Sequence, residues 1–183
     1  MDIDQVASRK RKSQRQVFIE RITSSMSWLL SFIQISLPSF GPCTYERDTD
    51  GAYNYCVSVR RADATRVIIR FPFPSECSDG EERFESEIAA MQCVLGSCPE
   101  IRILKIFLHG KFSEGPLDGD RYLIIEELPG ESLCAVWTEV KDNEEVRKKI
   151  FSQLANVVLC LSRLRFEEIG SLPSGTHEGK VLP

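Results

Sequence analysis

Between Tyr53 and Phe71 the chain carries two strand-like runs, the first alternating between apolar and polar residues, with the short turn Ala62-Asp63-Ala64 between them. In the first run Tyr53, Tyr55, Val57 and Val59 are interleaved with Asn54, Cys56, Ser58 and Arg60. The second run is Thr65-Arg66-Val67-Ile68-Ile69-Arg70-Phe71, ended by Pro72 and Pro74. A period of two marks a strand with one buried face. A parallel crossover needs a dozen or more residues, so a connection this short implies an antiparallel hairpin. The rest of the fold has to be built around that hairpin.

The flanking segments have a different period. Residues 14–35 carry Phe18, Ile22, Met26, Leu29, Leu30 and Ile33 at helical spacing, which predicts one helix before the break at Pro38, Gly41 and Pro42. After the hairpin, Phe84, Ile88, Met91 and Leu95 form the apolar stripe of a second helix, closed by Gly96 and Pro99. Strands are expected over 101–108 and 122–128, joined by a turn-rich stretch over 110–120. A last helix is expected over 144–165. Ile150, Leu154, Val157, Val158, Leu161 and Leu164 line one face of it, and Asp142 or Asn143 is its N-cap. Hairpin, helix, hairpin and helix in that order make an α+β chain.

The 183 residues, 42% hydrophobic and 27% charged, suit one globular domain with a sizeable core. A net charge of −4 excludes a general nucleic-acid binder, which needs a basic excess to neutralise phosphates. Basic residues do gather at Arg9-Lys10-Arg11-Lys12, near Arg15. That cluster reads as a solvated tail, with a nuclear address or an electrostatic membrane contact as alternatives. A mitochondrial presequence is a further alternative, weakened by Asp2, Asp4 and Glu20. The apolar run around Trp28-Leu29-Leu30 and Phe32-Ile33 is interrupted by serines. It falls short of the roughly 20 apolar residues of a transmembrane helix.

Seven irregularly spaced cysteines without a Cys-x-x-Cys pair argue for buried thiols in a reducing cytoplasm rather than a disulfide framework. Cys93, Cys98 and His109 lack the spacing of a zinc site. Both histidines, His109 and His177, read as loop residues.

Several local runs carry a resemblance. Gly51-Ala52-Tyr53-Asn54, then Val67 to Pro72, then Ser86-Glu87-Ile88-Ala89-Ala90-Met91 stand in a family order. They are followed by Leu123-Ile124-Ile125-Glu126-Glu127-Leu128-Pro129-Gly130-Glu131-Ser132-Leu133, Trp137 and Phe166 to Leu172. Together they resemble the aminoglycoside phosphotransferase family, of protein-kinase-like fold, and particularly its fungal branch. The resemblance implies three parts: an N-terminal basic and helical extension over 1–42, a kinase-like small lobe over 43–128, and the hinge with a truncated start of the helical large lobe over 129–183.

The family activity is ATP- and magnesium-dependent phosphoryl transfer to a small-molecule hydroxyl. By that resemblance Gly51 and Asn54 form the turn over the phosphates, where a missing side chain lets the backbone approach. Arg70 stands where kinase-like folds carry a phosphate-contacting lysine, and Glu87 would hold it in place. Glu126 and Leu128 would offer backbone groups to adenine. Phe71, Ile69, Ile103 and Ile125 are either walls of that pocket or core.

The chemistry that should follow is missing. Phosphoryl transfer usually uses one aspartate at the acceptor hydroxyl and another at the metal, yet no aspartate follows Asp142. Neither His109 nor His177 opens a His-x-Asp motif. These residues are therefore expected to be inactive by themselves. The alternative is a non-catalytic interaction or regulatory module. The face of the 144–165 helix would then be covered by a protein partner or by the large lobe.

Overall fold

The protein is described by a computed structural model over residues 3–74, 80–166, 170 and 172, with side chains from Lys12 onward. Among these residues it is α+β, with a five-stranded antiparallel sheet and five α-helices. The chain divides into two compact units. The first comprises Met1–Glu76 and Leu104–Glu127, the second Cys77–Ile103 and Leu128–Pro183.

The first unit holds α1 (Ile3–Ser24), α2 (Met26–Ser36) and the whole sheet. Its strands are β1 (Cys43–Asp50), β2 (Asn54–Arg61), β3 (Arg66–Pro72), β4 (Ile106–Lys111) and β5 (Arg121–Glu126), in the order β1-β2-β3-β5-β4. The expected hairpin is β2–β3, with Val57 opposite Ile69 and Val59 opposite Val67.

Where the sequence predicts one helix over 14–35 there are two. Three consecutive hydroxyls explain the break. Thr23 Oγ1 donates to the Ile19 carbonyl at 2.7 Å, Ser24 Oγ to Arg21 O at 3.0 Å and Ser25 Oγ to Arg21 O at 2.7 Å. Such back-bonding competes with the main-chain ladder, and the Ser25 N–H closes a tighter turn onto Ile22 O at 3.0 Å. The break lets both helices lie on the sheet. Phe18 and Ile22 from α1, and Leu29 and Ile33 from α2, pack with Tyr55, Val57, Val59, Val67, Ile69 and Phe71 in one buried cluster.

Strand β1 is absent from the sequence reading. Its composition, Cys-Thr-Tyr-Glu-Arg-Asp-Thr-Asp, has no apolar alternation, because it is an edge strand exposed along most of its length. Only pairing with β2 makes it a strand, with a register shift between Tyr45 and Arg47. The strand expected over 101–108 begins later, at Ile106, and runs to Lys111. His109 therefore sits in β4 opposite Leu123, not in a loop. His177 lies outside the described residues.

The β4–β5 connection is held against α2 by aromatic contacts. Trp28 and Phe32 meet the Phe112 ring edge-on, at centroid distances of 5.2 and 4.9 Å, and Tyr122 stacks on Phe112 at 4.4 Å. Gly115, with φ of +81°, lies so close that a Cβ there would come within 2.6 Å of the Trp28 ring. Arg21 of α1 donates to Asp120 Oδ1 at 2.7 Å and closes the same connection from its other end.

The second unit contains α3 (Gly80–Ser97), α4 (Leu133–Val140) and α5 (Glu144–Leu161). In α3, Phe84 and Ile88 are buried as the stripe predicts, while Leu95 is exposed. Asn143 is the N-cap of α5, its side-chain oxygen accepting from the Val146 N–H at 3.2 Å, and Glu144 and Glu145 complement the helix dipole. Cys98 Sγ donates to the Cys160 carbonyl at 3.7 Å, tying the segment after α3 to the last turn of α5.

Candidate functional site

The turn between β1 and β2 is built by the backbone of its own residues. The Gly51 N–H donates to Asn54 O at 3.0 Å, and the Phe73 N–H donates to Tyr53 O at 3.0 Å. A Cβ at Gly51 would stand 3.1 Å from that same Asn54 oxygen, so the tight closure itself favours glycine. Asn54 begins β2, opposite Pro72. Below the turn, Tyr55 and Tyr45 both donate hydroxyl bonds to Asp48, the latter at 3.0 Å. Those bonds, Tyr55's first, hold the Asp48 carboxyl below its ordinary range. Burial, then the bond to Asp48, pushes the Tyr55 phenol up.

Arg70 lies on β3 between Ile69 and Phe71, and so faces away from the core they enter. It is half-buried, in register with Cys56 on β2 and Leu123 on β5. Burial raises the Cys56 thiol, and the Arg70 guanidinium pulls it the other way. Glu126 ends β5 opposite Val67, its N–H donating to Lys105 O at 2.9 Å.

The neighbouring Glu127 has a more marked setting than Glu126. Its N–H donates to Arg66 O at 3.2 Å, while its carboxylate accepts from Ser58 Oγ at 2.5 Å and from the Arg47 guanidinium. Beside it Arg66 forks onto Glu46, at 2.5 Å through Nε and 2.9 Å through Nη2. The chain leaving β5 is thus tied by one side chain to both β1 and β2.

Of the six residues expected at the site, Gly51, Asn54, Arg70 and Glu126 fall in the sheet unit. Gly51 and Asn54 make its turn, Arg70 sits mid-strand, and Glu126 ends β5. Glu87, on the exposed side of α3, and Leu128 belong to the second unit. Of the four apolar candidates, Phe71, Ile69 and Ile125 are buried, and Ile103 is half-buried.

The sequence reading missed Arg47, Ser58 and Glu127, and the role of Arg15. Arg15 donates to Asp50 Oδ1 at 3.1 Å through Nε and to the Gly51 carbonyl at 2.5 Å through Nη2. Ser58 left no signal, because the alternation of β2 already calls for a polar residue at that position, and only its burial sets it apart. Arg15 left none, because its partners lie far along the chain.

Among the described residues no group of three His, Cys, Asp or Glu side chains could hold a metal ion. No described helix is long and apolar enough to cross a membrane.

The class these features define is an α+β protein with a helix-backed antiparallel sheet. No protein-family model matches the chain. It is similar to two subtelomeric hrmA-associated cluster proteins, one from each of two strains of Aspergillus fumigatus. Each is 28% identical over 123 residues, covering 67% of this chain and 23% of the relative. The chain therefore spans about a quarter of the length of the curated relatives it matches.

Proposed function

We propose that the sheet unit is a nucleotide-binding lobe of the aminoglycoside phosphotransferase type, and that it binds ATP without transferring a phosphoryl group by itself. The observation that carries this reading is the order of features along β3. The Gly51 turn meets β3 at Pro72, Arg70 lies two residues back, and Glu126 pairs three residues further at Val67. Turn, cation and exit to the hinge are thereby spaced along about 17 Å of sheet, at roughly 3.3 Å per residue. Arg70 would face phosphate, the Gly51 turn would close over it, and the Glu127 tether would fix the backbone that adenine meets. Transfer by these residues alone is not expected, because no aspartate follows Asp142 and neither His109 nor His177 opens a His-x-Asp motif. The free cysteines suit a reducing compartment, and we place the protein in the cytoplasm.

Calorimetric titration of the chain with ATP and magnesium tests this reading. Binding should be measurable, and Arg70→Ala should weaken it about tenfold, the loss of one charge-assisted phosphate contact. Equal affinity in that variant, or magnesium-dependent phosphoryl transfer by the chain alone, would overturn it.

A second reading, an interaction module, is favoured by one observation. Phe151, Leu154, Val158 and Leu161 of α5 are 55, 56, 59 and 40% exposed, an apolar stripe at steps of three and four. Under the first reading the remainder of a large lobe covers it. Under the second, a protein partner does.

A further inference from the structure

We propose that Arg15, in the N-terminal extension, is a positioning residue for anion binding at the β1–β2 turn, setting the direction of a backbone donor from the far side of the sheet. This rests on the nucleotide reading above. The guanidinium of Arg15 lies 4.3 Å over the Phe73 ring, and Phe73 is bonded through its N–H to Tyr53 of the turn. From that platform it donates to the Asp50 carboxylate and, at 2.5 Å, to the Gly51 carbonyl. Helix α1 packs on the face of the sheet formed by Tyr55, Val57 and Val59, so the grip comes from that side.

A trans peptide carries its carbonyl and the following N–H in opposite directions. With no cis bond among the described residues, drawing the Gly51 oxygen toward α1 turns the N–H of Ala52, an exposed residue, the other way, toward the face that carries Arg70. Arg15 also neutralises Asp50, whose bare carboxylate next to the turn would repel phosphate oxygens. Both effects favour an anion on the side of the turn away from α1. A residue outside the sheet thereby prepares the donor without touching the ligand.

The test uses the full chain and three variants. Arg15→Ala removes the side chain. Arg15→Met keeps the apolar stem over Phe73 but none of the five donors, and carries the test if the alanine variant loses its fold. Arg15→Lys keeps the charge and can reach one acceptor but cannot fork across two. In the ligand-free protein, amide exchange at residues 51–54 should speed up about tenfold in the alanine and methionine variants while the β2–β3 ladder stays protected. The lysine variant should recover part of the protection. The ATP dissociation constant should rise about tenfold in the same two variants, with the unfolding midpoint little changed, since an exposed ion pair adds little stability.

Unaltered exchange at the turn in a folded variant overturns the proposal. So does an unaltered ATP affinity in the alanine and methionine variants when the wild-type chain binds ATP. A wild-type chain that binds no ATP sinks the nucleotide reading alone, and turn exchange then decides whether Arg15 orders the turn.

Discussion

Single residues here act mostly through what they permit their neighbours to do. Gly115 and Gly119 make a controlled pair, with φ of +81° and +84° in the same connection. At Gly119 a new Cβ would meet only the Lys111 side chain at 3.9 Å, whereas at Gly115 it would run into the Trp28 ring. Gly119→Ala should therefore cost only the left-handed backbone penalty, about 1–2 kcal/mol. Gly115→Ala should cost about 2 kcal/mol more, because the Trp28–Phe112 packing must shift as well. Chemical denaturation of the two variants checks this, and equal losses would mean that the indole moves aside freely. Glycine at 115 was visible in the sequence as a turn residue. Its ring contact was not, because Trp28 lies far away along the chain.

Elements were legible in proportion to how far their own side chains decide them. The β2–β3 hairpin, α3 and α5 each carry a periodic apolar pattern, and each is present. Helix α4 is absent from the sequence reading although Leu133, Val136, Trp137 and Val140 have helical spacing, because it is short and lies between glycine and charge-rich segments. Strand β1 carried none, because an edge strand needs only its backbone to pair.

Helix α5 raises the opposite question, a clear apolar pattern of which a large part is exposed. Its half-buried edge runs through Val146, Ile150, Val157 and Cys160, while the Phe151–Leu161 stripe lies outside that edge. Leu154→Asp with Val158→Asp should raise the solubility limit of the chain and reduce self-association, measured by sedimentation velocity. Because both positions are already exposed, thermal stability should change by less than about 1 kcal/mol. A large loss of stability would show that the stripe is buried in the protein as it exists in solution.

At the scale of the whole molecule, the N-terminal helices are part of the sheet unit rather than an appendage to it. Phe18, Ile22, Leu29 and Ile33 are all essentially buried. At about 1.5–3 kcal/mol each, they contribute on the order of 6–12 kcal/mol, comparable with the net stability of a typical domain. Removing residues 1–36 should therefore abolish cooperative unfolding of the sheet, followed by circular dichroism. A soluble fragment with a sharp melt would contradict it.

The amino-acid sequence by itself determined the hairpin, the helical stripes and the α+β class, since each follows from local pattern. Only the tertiary structure decided that β1 is a strand and that His109 lies in the sheet. It also decided that Glu127 is tied to Ser58 and Arg47, and that Arg15 grips the turn. These depend on pairing and contacts between residues distant in the chain. A local window holds no information about a partner that only folding brings within hydrogen-bonding range.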